Sequence, residues 1–295
     1  MSMWNTVPVL DTIGHADFYG DFVAKRRPVV MRGLTSGWKA RDWDLERFRQ
    51  LPSSAKLGVK TGTVADGRRV SMTIADYAGL LQRYEASLAA GQPLDSPGYL
   101  HDVPIFRFFP ELADEAAPFP LPMLPRWYHR TWQEYAQFFM GPTGSSTPLH
   151  FDTLLTHNIF FHLAGRKRFV LIPAEQRRLC YPKSWRWMSF DPIRPDVETF
   201  PLAEQVKPVT VDLEPGDTLY MPSGTLHQVT NQTMTISFNI DWHTADSARD
   251  GMVSVVKGAP WKNGYYNALS WLGVGARVPA KYIFPFYKSY LTYVS

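Results

Sequence analysis

Two stretches decide the fold: residues 147–152 read TPLHFD, and residues 215–227 read PGDTLYMPSGTLH. In the first, His150 and Asp152 stand two positions apart, so in a strand both side chains point to the same face. In the second, a Pro-Gly-Asp turn, a short apolar strand and a Pro-Ser-Gly turn lead to His227. This spacing places His227 on a separate strand and predicts a β-barrel whose lumen contains all three side chains.

The sequence around these stretches predicts further strands at residues 167–172, 209–213, 218–221 and 233–242. In the last of them, apolar side chains alternate with the polar side chains of Ser237, Asn239 and Asp241. Before the strands, residues 73–90 begin with a capping pattern and continue as an amphipathic helix. Short strands separated by turns, with helices before them, indicate a β-barrel or sandwich with added N-terminal elements.

Composition bounds the possible classes of function. The 295 residues suffice for one large domain, and 45% hydrophobic residues allow a sizeable core. The net charge is +4, but basic residues form no long run, so nucleic acid is not indicated as a partner. The single cysteine, Cys180, excludes an intramolecular disulfide and a thiolate metal cluster. The start lacks a signal-peptide pattern and no apolar run approaches a bilayer span, so no membrane association and a cytoplasmic location are expected.

The residue types of His150, Asp152 and His227 point to a metal. Two imidazoles and one carboxylate hold iron(II) by one face and leave three coordination positions open. A His-x-Asp pair alone is common, but its combination with the later turn–strand–His pattern is specific. The alternative is that both histidines are satisfied core or surface residues. The other six histidines have no comparable partner pattern.

These residues resemble the JmjC-type, cupin-like branch of the iron(II)- and 2-oxoglutarate-dependent dioxygenases. That branch includes the asparaginyl hydroxylase that acts on hypoxia-inducible factor and its bacterial cupin-like relatives. The resemblance rests on residues 141–152 (GPTGSSTPLHFD), 165–173 (GRKRFVLIP) and 215–222 (PGDTLYMP), and extends roughly over residues 7–245. It implies a double-stranded β-helix (jelly-roll, cupin) core at about residues 137–245, with N-terminal α/β elements before it.

The sequence also predicts a domain organisation. An oxygenase domain is expected at residues 1–255, followed by a C-terminal aromatic, helical segment at residues 256–295. This segment is long enough to pair with its copy, so a homodimer is expected; the alternative is that it only caps the barrel.

A set of site residues follows from the resemblance. The implied cofactor is Fe(2+), with 2-oxoglutarate as cosubstrate and O2. His150, Asp152 and His227 would bind the metal. Lys167, Thr147 and Tyr99 would bind the distal carboxylate of 2-oxoglutarate, and Asn158 and Asn239 would lie near the cosubstrate and the iron. Simpler interpretations remain open, since Lys167 stands between Arg166 and Arg168 in what could be a surface basic run, and Thr147 could sit in a turn before a proline.

The implied function is hydroxylation of a C–H bond, with an amino-acid side chain of a protein or peptide as the favoured substrate. A small molecule or natural-product intermediate is the main alternative, and N-demethylation would use the same chemistry. A cupin metalloenzyme of another reaction type, such as an isomerase, and a non-catalytic binding protein are the remaining alternatives. Two extra residues separate the His-x-Asp pair from Lys167, compared with the asparaginyl hydroxylase. The long loop at residues 174–206 matches no known substrate pattern, although loops of this length are often functional.

Overall fold

The computed structural model describes residues 4–52, 54–92 and 94–294. Its strands are β1 (Val9–Leu10), β2 (Val29–Met31), β3 (Lys56–Lys60), β4 (Arg69–Thr73), β5 (Tyr99–Val103), β6 (Ala136–Gly141), β7 (Ser146–His150), β8 (His157–Ala164), β9 (Lys167–Ile172), β10 (Val209–Leu213), β11 (Thr218–Met221), β12 (Leu226–Asn231) and β13 (Thr235–Trp242). Its α-helices are α1 (His15–Asp17), α2 (Leu45–Arg49), α3 (Ile74–Ala89), α4 (Ile105–Phe108), α5 (Leu112–Glu115), α6 (Ala245–Val253), α7 (Trp261–Val274) and α8 (Ala280–Val294). A π-helical turn, Phe18–Val23, follows α1, and short 3-10 helices include Ala174–Cys180 and Pro201–Gln205.

The eight strands from β6 to β13 form the jelly-roll core. One four-stranded sheet has the order β10-β9-β12-β7, and the other has β11-β8-β13-β6 as the middle of a nine-stranded sheet. Within the core, every neighbouring pair of strands is antiparallel. The N-terminal strands extend the large sheet at both edges, with β2 and β1 beyond β11 and β5, β3 and β4 beyond β6. The predicted β-helix core with N-terminal α/β elements is confirmed.

Strand β13 separates the core of the protein from the lumen of the barrel. Its apolar side chains, including Phe238, are fully buried under the N-terminal region, where Trp38 stacks on Phe238 with ring centroids 5.9 Å apart. Its alternate side chains, Asn239 and Asp241, line the lumen. The alternation read from the sequence is therefore confirmed, although the strand begins at Thr235, two residues later than predicted.

A β-bulge in β7 directs the side chains of Thr147 and His150 into the lumen. Simple alternation along the strand would place these two side chains on opposite faces. His227 of β12 lies opposite His150, but Val229 lies opposite Thr147, so the shift is two residues on β12 and three on β7. Such an extra residue bends a strand and re-aims its side chains. Thr147 and His150, which are an odd number of positions apart, therefore both line the same cavity.

The C-terminal segment is helical, as predicted, and packs on the barrel. On α8, Tyr287 lies 5.4 Å from the Tyr135 ring, and Tyr290 reaches the central cavity. The Trp127 indole donates a hydrogen bond of 2.8 Å to the carbonyl of Val278, just before α8. None of the described helices has the length and apolar character needed to span a bilayer. The proposed boundary near residue 255 and pairing with a second chain stay predictions.

Candidate metal centre

His150, Asp152 and His227 meet at one point of the lumen. One potential ligand atom from each residue lies within 4.8 Å of the other two. Nε2 of His227 is 3.8 Å from Oδ1 of Asp152, and the two imidazole centroids are 4.2 Å apart. Two nitrogens and one oxygen at such spacing suit a divalent transition metal bound by one face.

The position of Asp152 differs from the prediction that it shares a strand with His150. Strand β7 ends at His150, and Asp152 lies beyond it. The chain nevertheless stays extended there, because His150 forms an isolated bridge with Trp187 and the Phe151 N–H donates to the carbonyl of Arg186 at 3.2 Å. The loop at residues 174–206 thus continues the pairing that keeps Asp152 on the face of His150.

Backbone carbonyls fix the orientation of both imidazoles. Nδ1 of His150 donates to the carbonyl of Pro148 at 2.7 Å, and Nδ1 of His227 donates to that of Thr225 at 3.1 Å. With the proton on Nδ1, each Nε2 lone pair is available for a metal. Burial, and then the neighbouring His227, lower the pKa of His150 well below its usual value. The neutral form that binds metals is therefore favoured, and the donor set fits a metal ion.

Lys167 is completely buried at the start of β9. Its Nζ donates to Oη of Tyr99 at 3.1 Å and to Oγ of Ser237 at 3.2 Å, and it lies 5.1 Å from the centroid of the Phe160 ring. No carboxylate of the described residues forms an ion pair with it, and burial lowers its pKa to about 7. The neighbouring Arg168 points outward and pairs with an exposed aspartate. Lys167 is therefore not part of a surface run, and a buried ammonium without a counter-ion indicates a site for an anion.

Tyr99 contacts Lys167, and Thr147 lines the same cavity. All three line one cavity that also contains the metal-ligand set. Gly141 makes room for the Tyr99 ring, because a Cβ at this glycine would overlap the ring carbons. Hydroxyl and ammonium groups thus line the same cavity.

Asn158 and Asn239 also line this cavity. Their side-chain amides donate to Asp241, which the sequence did not indicate as a site residue. Asn158 Nδ2 donates to Oδ1 of Asp241 at 2.8 Å, and Asn239 Nδ2 donates to the same oxygen at 3.3 Å. Burial and the negative charge of Asp152 raise the pKa of Asp241 well above its usual value. Asp241 lies on the polar face of β13, which the sequence predicts. That alternation is the feature by which Asp241 could have been identified as a site residue.

His101 is a second missed residue, although it lies in the same strand as Tyr99. Its Nδ1 is 2.8 Å from the carboxylate of Asp102, which also lies 3.3 Å from Nζ of Lys60. Its Nε2 is 3.2 Å from Oγ1 of Thr147. Burial lowers the pKa of His101 to about 4, so the ring is neutral. The contact between Nε2 of His101 and the Thr147 hydroxyl fixes the position of that hydroxyl.

The loop at residues 174–206 closes one side of the cavity. The Trp187 ring lies 4.9 Å from that of His150, and the Arg186 guanidinium lies 4.7 Å from the Trp187 centroid. Arg186 also donates to Oγ1 of Thr153 at 3.0 Å and lines the cavity. The loop therefore borders the metal-ligand set.

The sequence profile of the family described as "Cupin-like domain" matches residues 15–248. The chain belongs to this cupin-like family. The match includes all three metal-ligand residues and every residue that the sequence assigned to cosubstrate binding. The resemblance inferred from the sequence is confirmed.

The chain is also similar to several named proteins. It is 27% identical over 265 residues to the arginine-specific demethylase JMJ20 of Arabidopsis thaliana, covering 79% of this chain and 56% of that protein. It is 26% identical over 256 residues to the 2-oxoglutarate and iron-dependent oxygenase JMJD4 of Gallus gallus, covering 79% of this chain and 59% of that protein. It is 26% identical over 288 residues to the bifunctional arginine demethylase and lysyl-hydroxylase psr-1 of Caenorhabditis elegans, covering 87% of this chain and 68% of that protein. The chain thus matches little more than half the length of the first two.

Proposed function

We propose that this protein is an iron(II)- and 2-oxoglutarate-dependent oxygenase that hydroxylates a C–H bond in an amino-acid side chain of a protein or peptide. The observation that carries the proposal is the presence of two anchors in one cavity. The His150, Asp152 and His227 set offers a metal site, and the ammonium of Lys167 offers a buried site for an anion. The names of the similar proteins, which include an iron- and 2-oxoglutarate-dependent oxygenase, support it.

The residues of this chain would bind and orient the reactants. Iron, 2-oxoglutarate and O2 supply the oxidising chemistry when they are bound. His150, Asp152 and His227 would hold the metal by one face and leave its other positions accessible. Lys167 would pair with the distal carboxylate of the cosubstrate, with hydroxyl donors from Tyr99 and Thr147. The surrounding aromatic rings would exclude water from this charged contact and so strengthen it.

The alternatives are less consistent with the cavity. An isomerase of the cupin type has no use for the buried Lys167 ammonium, and a non-catalytic binding protein has no use for an intact metal-ligand set. A protein or peptide substrate is supported by relatives named for arginine demethylation and lysyl hydroxylation. A small-molecule substrate is the remaining alternative, and the choice is a matter for product analysis.

The proposal is tested by incubating the purified protein with iron(II), 2-oxoglutarate and O2, with and without candidate peptides and cell extracts. We expect succinate to form, and mass spectrometry to find a product that has gained one oxygen atom. Loss of a methyl group with release of formaldehyde would instead indicate demethylation. Labelled small molecules in the extract would reveal the small-molecule alternative. No succinate under any of these conditions would contradict the proposal.

The affinity for 2-oxoglutarate is predicted to fall as the pH rises above 7. Without cosubstrate, burial holds the pKa of Lys167 at about 7. A bound carboxylate favours the ammonium, so the pKa is higher in the complex. Below pH 7 the lysine is protonated in both states and affinity is constant. Above it, binding requires proton uptake, and the dissociation constant rises by up to about tenfold per pH unit. Anaerobic titrations at saturating metal between pH 6 and 9 measure this; a flat profile would contradict it.

We also propose that the protein forms a homodimer through α7 and α8. These helices expose large apolar side chains: Trp261 is 70%, Tyr282 61% and Phe286 57% exposed. Light scattering at micromolar concentration should give the mass of a dimer. Phe286→Glu should give a monomer, whereas Leu202→Glu, which alters an exposed leucine outside these helices, should not. A monomeric wild-type protein would refute the proposal. The cytoplasmic location stays a prediction from the sequence.

A further inference from the structure

Asp152 has less direct support than the two histidines of the metal-ligand set. Strand β7 ends at His150, two residues before it. Among the described residues, its carboxylate accepts one long hydrogen bond, of 3.4 Å, from Nδ2 of Asn158. A metal site needs ligand atoms at fixed positions, and these are normally set by partners around the ligands. The backbone next to Asp152 is therefore the place to look for such partners.

Thr153, the next residue, is held by three side-chain hydrogen bonds. Its carbonyl oxygen accepts from Nε1 of Trp185 at 3.0 Å and from Nδ2 of Asn263 at 2.9 Å. Its hydroxyl accepts from the guanidinium of Arg186 at 3.0 Å. A carbonyl oxygen has two lone pairs, so two donors satisfy it completely. The chain that carries Asp152 is thus fixed immediately after the ligand residue.

The two donors to this carbonyl come from segments that are distant in the sequence. Trp185 belongs to the loop at residues 174–206, and Asn263 belongs to α7 in the C-terminal segment. Asn263 lies 110 positions from Thr153 along the chain. Its side chain is only 4% exposed, so water competes little for the hydrogen bond.

The position of Asn263 is set by the packing of α7 against α6. Helix α6 follows β13 of the barrel and begins with a capping box formed by Thr244 and Ser247. Gly251 of α6 lies against Asn267 of α7, where a Cβ on the glycine would overlap the amide. Nδ2 of Asn267 in turn donates to the carbonyl of Asn263 at 2.8 Å. Close packing on the barrel therefore directs Asn263 to the metal-ligand segment.

The C-terminal segment reaches the site at a second point, on α8. Ile283, Tyr287 and Tyr290 have the spacing of one helix face, and all three are buried. Tyr290 lines the same cavity as Asp152. Its ring centroid lies 5.2 Å from that of Tyr266 on α7, so the two helices are packed together at the site.

We propose that Asn263 is a positioning residue of the metal site. Its hydrogen bond to the Thr153 carbonyl holds Asp152 where the carboxylate can bind the metal, and Trp185 shares this role as the second donor. The inference rests on the proposed function, because it concerns the metal site of that oxygenase. It makes the C-terminal helices part of the unit that binds the metal, in addition to any role in pairing with a second chain.

The test is anaerobic titration of the whole protein with iron(II), in competition with a chelator and without cosubstrate. Asn263→Leu keeps the approximate size of the side chain and removes the donor. We expect its dissociation constant for iron(II) to rise about tenfold, the lower end of the range for partners outside the ligand set, because it acts through the backbone. Equal affinity of wild-type protein and a folded Asn263→Leu protein would overturn the inference.

Asn267→Ala is the matched control. It removes a buried asparagine one turn later on the same helix, whose hydrogen bond stays within α7. It should lower the stability of the protein and leave the affinity for iron(II) unchanged. An equal loss of affinity in Asn267→Ala and Asn263→Leu would mean that helix packing, and not the bond to Thr153, causes the effect. That result would also overturn the inference.

Trp185→Phe tests the same carbonyl from the other side and does not depend on the folding of Asn263→Leu. It keeps an aromatic ring next to Phe151 and removes the Nε1 donor. Affinity for iron(II) should fall in Trp185→Phe, and unchanged affinity would overturn the inference. Each single variant leaves the Thr153 carbonyl one donor, and the double variant leaves none. The double variant should therefore lose more affinity than the product of the single effects, and a simple product would contradict a shared carbonyl.

The visible spectrum of bound cobalt(II) separates positioning from stability. The arrangement of the ligands determines this spectrum, so at full occupancy Asn263→Leu should change it and Asn267→Ala should not. An unchanged spectrum in Asn263→Leu would contradict the positioning role. Failure of the proposed function is distinguishable, because it is the absence of succinate in the aerobic assay of a wild-type protein that binds iron(II).

Discussion

Replacing Asp152 with alanine is expected to abolish iron-dependent turnover of 2-oxoglutarate while the barrel remains folded. Asp152 provides the only carboxylate of the described metal-ligand set. Loss of a ligand should weaken metal binding by more than the roughly 100-fold upper range for loss of an outer-shell partner. The carboxylate is 18% exposed and lies beyond β7, so its removal leaves no cavity in the apolar core. Metal affinity and succinate formation measure the effect.

Thermal unfolding separates loss of metal binding from loss of fold. A metal present at 100 times its dissociation constant should stabilise the wild-type protein by about 2.7 kcal/mol. The Asp152→Ala protein should lose this increment and melt without metal close to the wild-type temperature. Asp212→Ala, which removes an exposed carboxylate from the same barrel, should keep both the increment and the turnover. Substantial turnover by Asp152→Ala would exclude the assigned metal site.

Replacing Lys167 with methionine is expected to have opposite effects on cosubstrate binding and on stability. Removing one partner of a buried charge pair should weaken 2-oxoglutarate binding by about 2 kcal/mol or more, roughly 30-fold. Without cosubstrate, however, Lys167 is a fully buried amine whose burial lowers its pKa to about 7. An apolar side chain of similar length removes this desolvation penalty and should raise the free energy of unfolding by about 1 kcal/mol or more.

Both effects of Lys167→Met are measured on one preparation. Anaerobic titration gives the dissociation constant of 2-oxoglutarate, and denaturant unfolding gives the stability without cosubstrate. Arg168→Met is the matched control, because Arg168 points outward from the same strand and pairs with Asp212 at 2.7 Å. It should leave cosubstrate binding unchanged. Equal binding of 2-oxoglutarate by wild-type protein and Lys167→Met would contradict the assignment of the anion site.

Strand periodicity made much of the site predictable. Alternation along β9 places Lys167 and Arg168 on opposite faces, and the structure buries Lys167 while Arg168 faces outward. It also divided β13 into an apolar face and a polar face, and the polar face lines the lumen. The ligand set could be found because turn residues before His227 fix where its strand begins. These features depend on local sequence, which periodicity and turn chemistry describe well.

The remaining features depend on contacts between distant segments. The bulge that brings Thr147 and His150 to one face is set by the register of β7 against β12. The extended chain at Asp152 is held by the bridge between His150 and Trp187, a residue of the irregular loop. The hydrogen bonds from the Asn158 and Asn239 amides to Asp241 likewise depend on the folded arrangement of the strands. No local pattern encodes these pairings, so sequence reasoning placed the residues near the site without their partners.

We propose that one cavity holds a metal at His150, Asp152 and His227 and 2-oxoglutarate between that metal and Lys167. Anaerobic titration of 2-oxoglutarate into wild-type protein, with and without iron(II), is the test. We expect one molecule bound per chain, with affinity that depends on the metal and falls in both His227→Ala and Lys167→Met. Binding that is absent, or that is indifferent to the metal and to both substitutions, would contradict it.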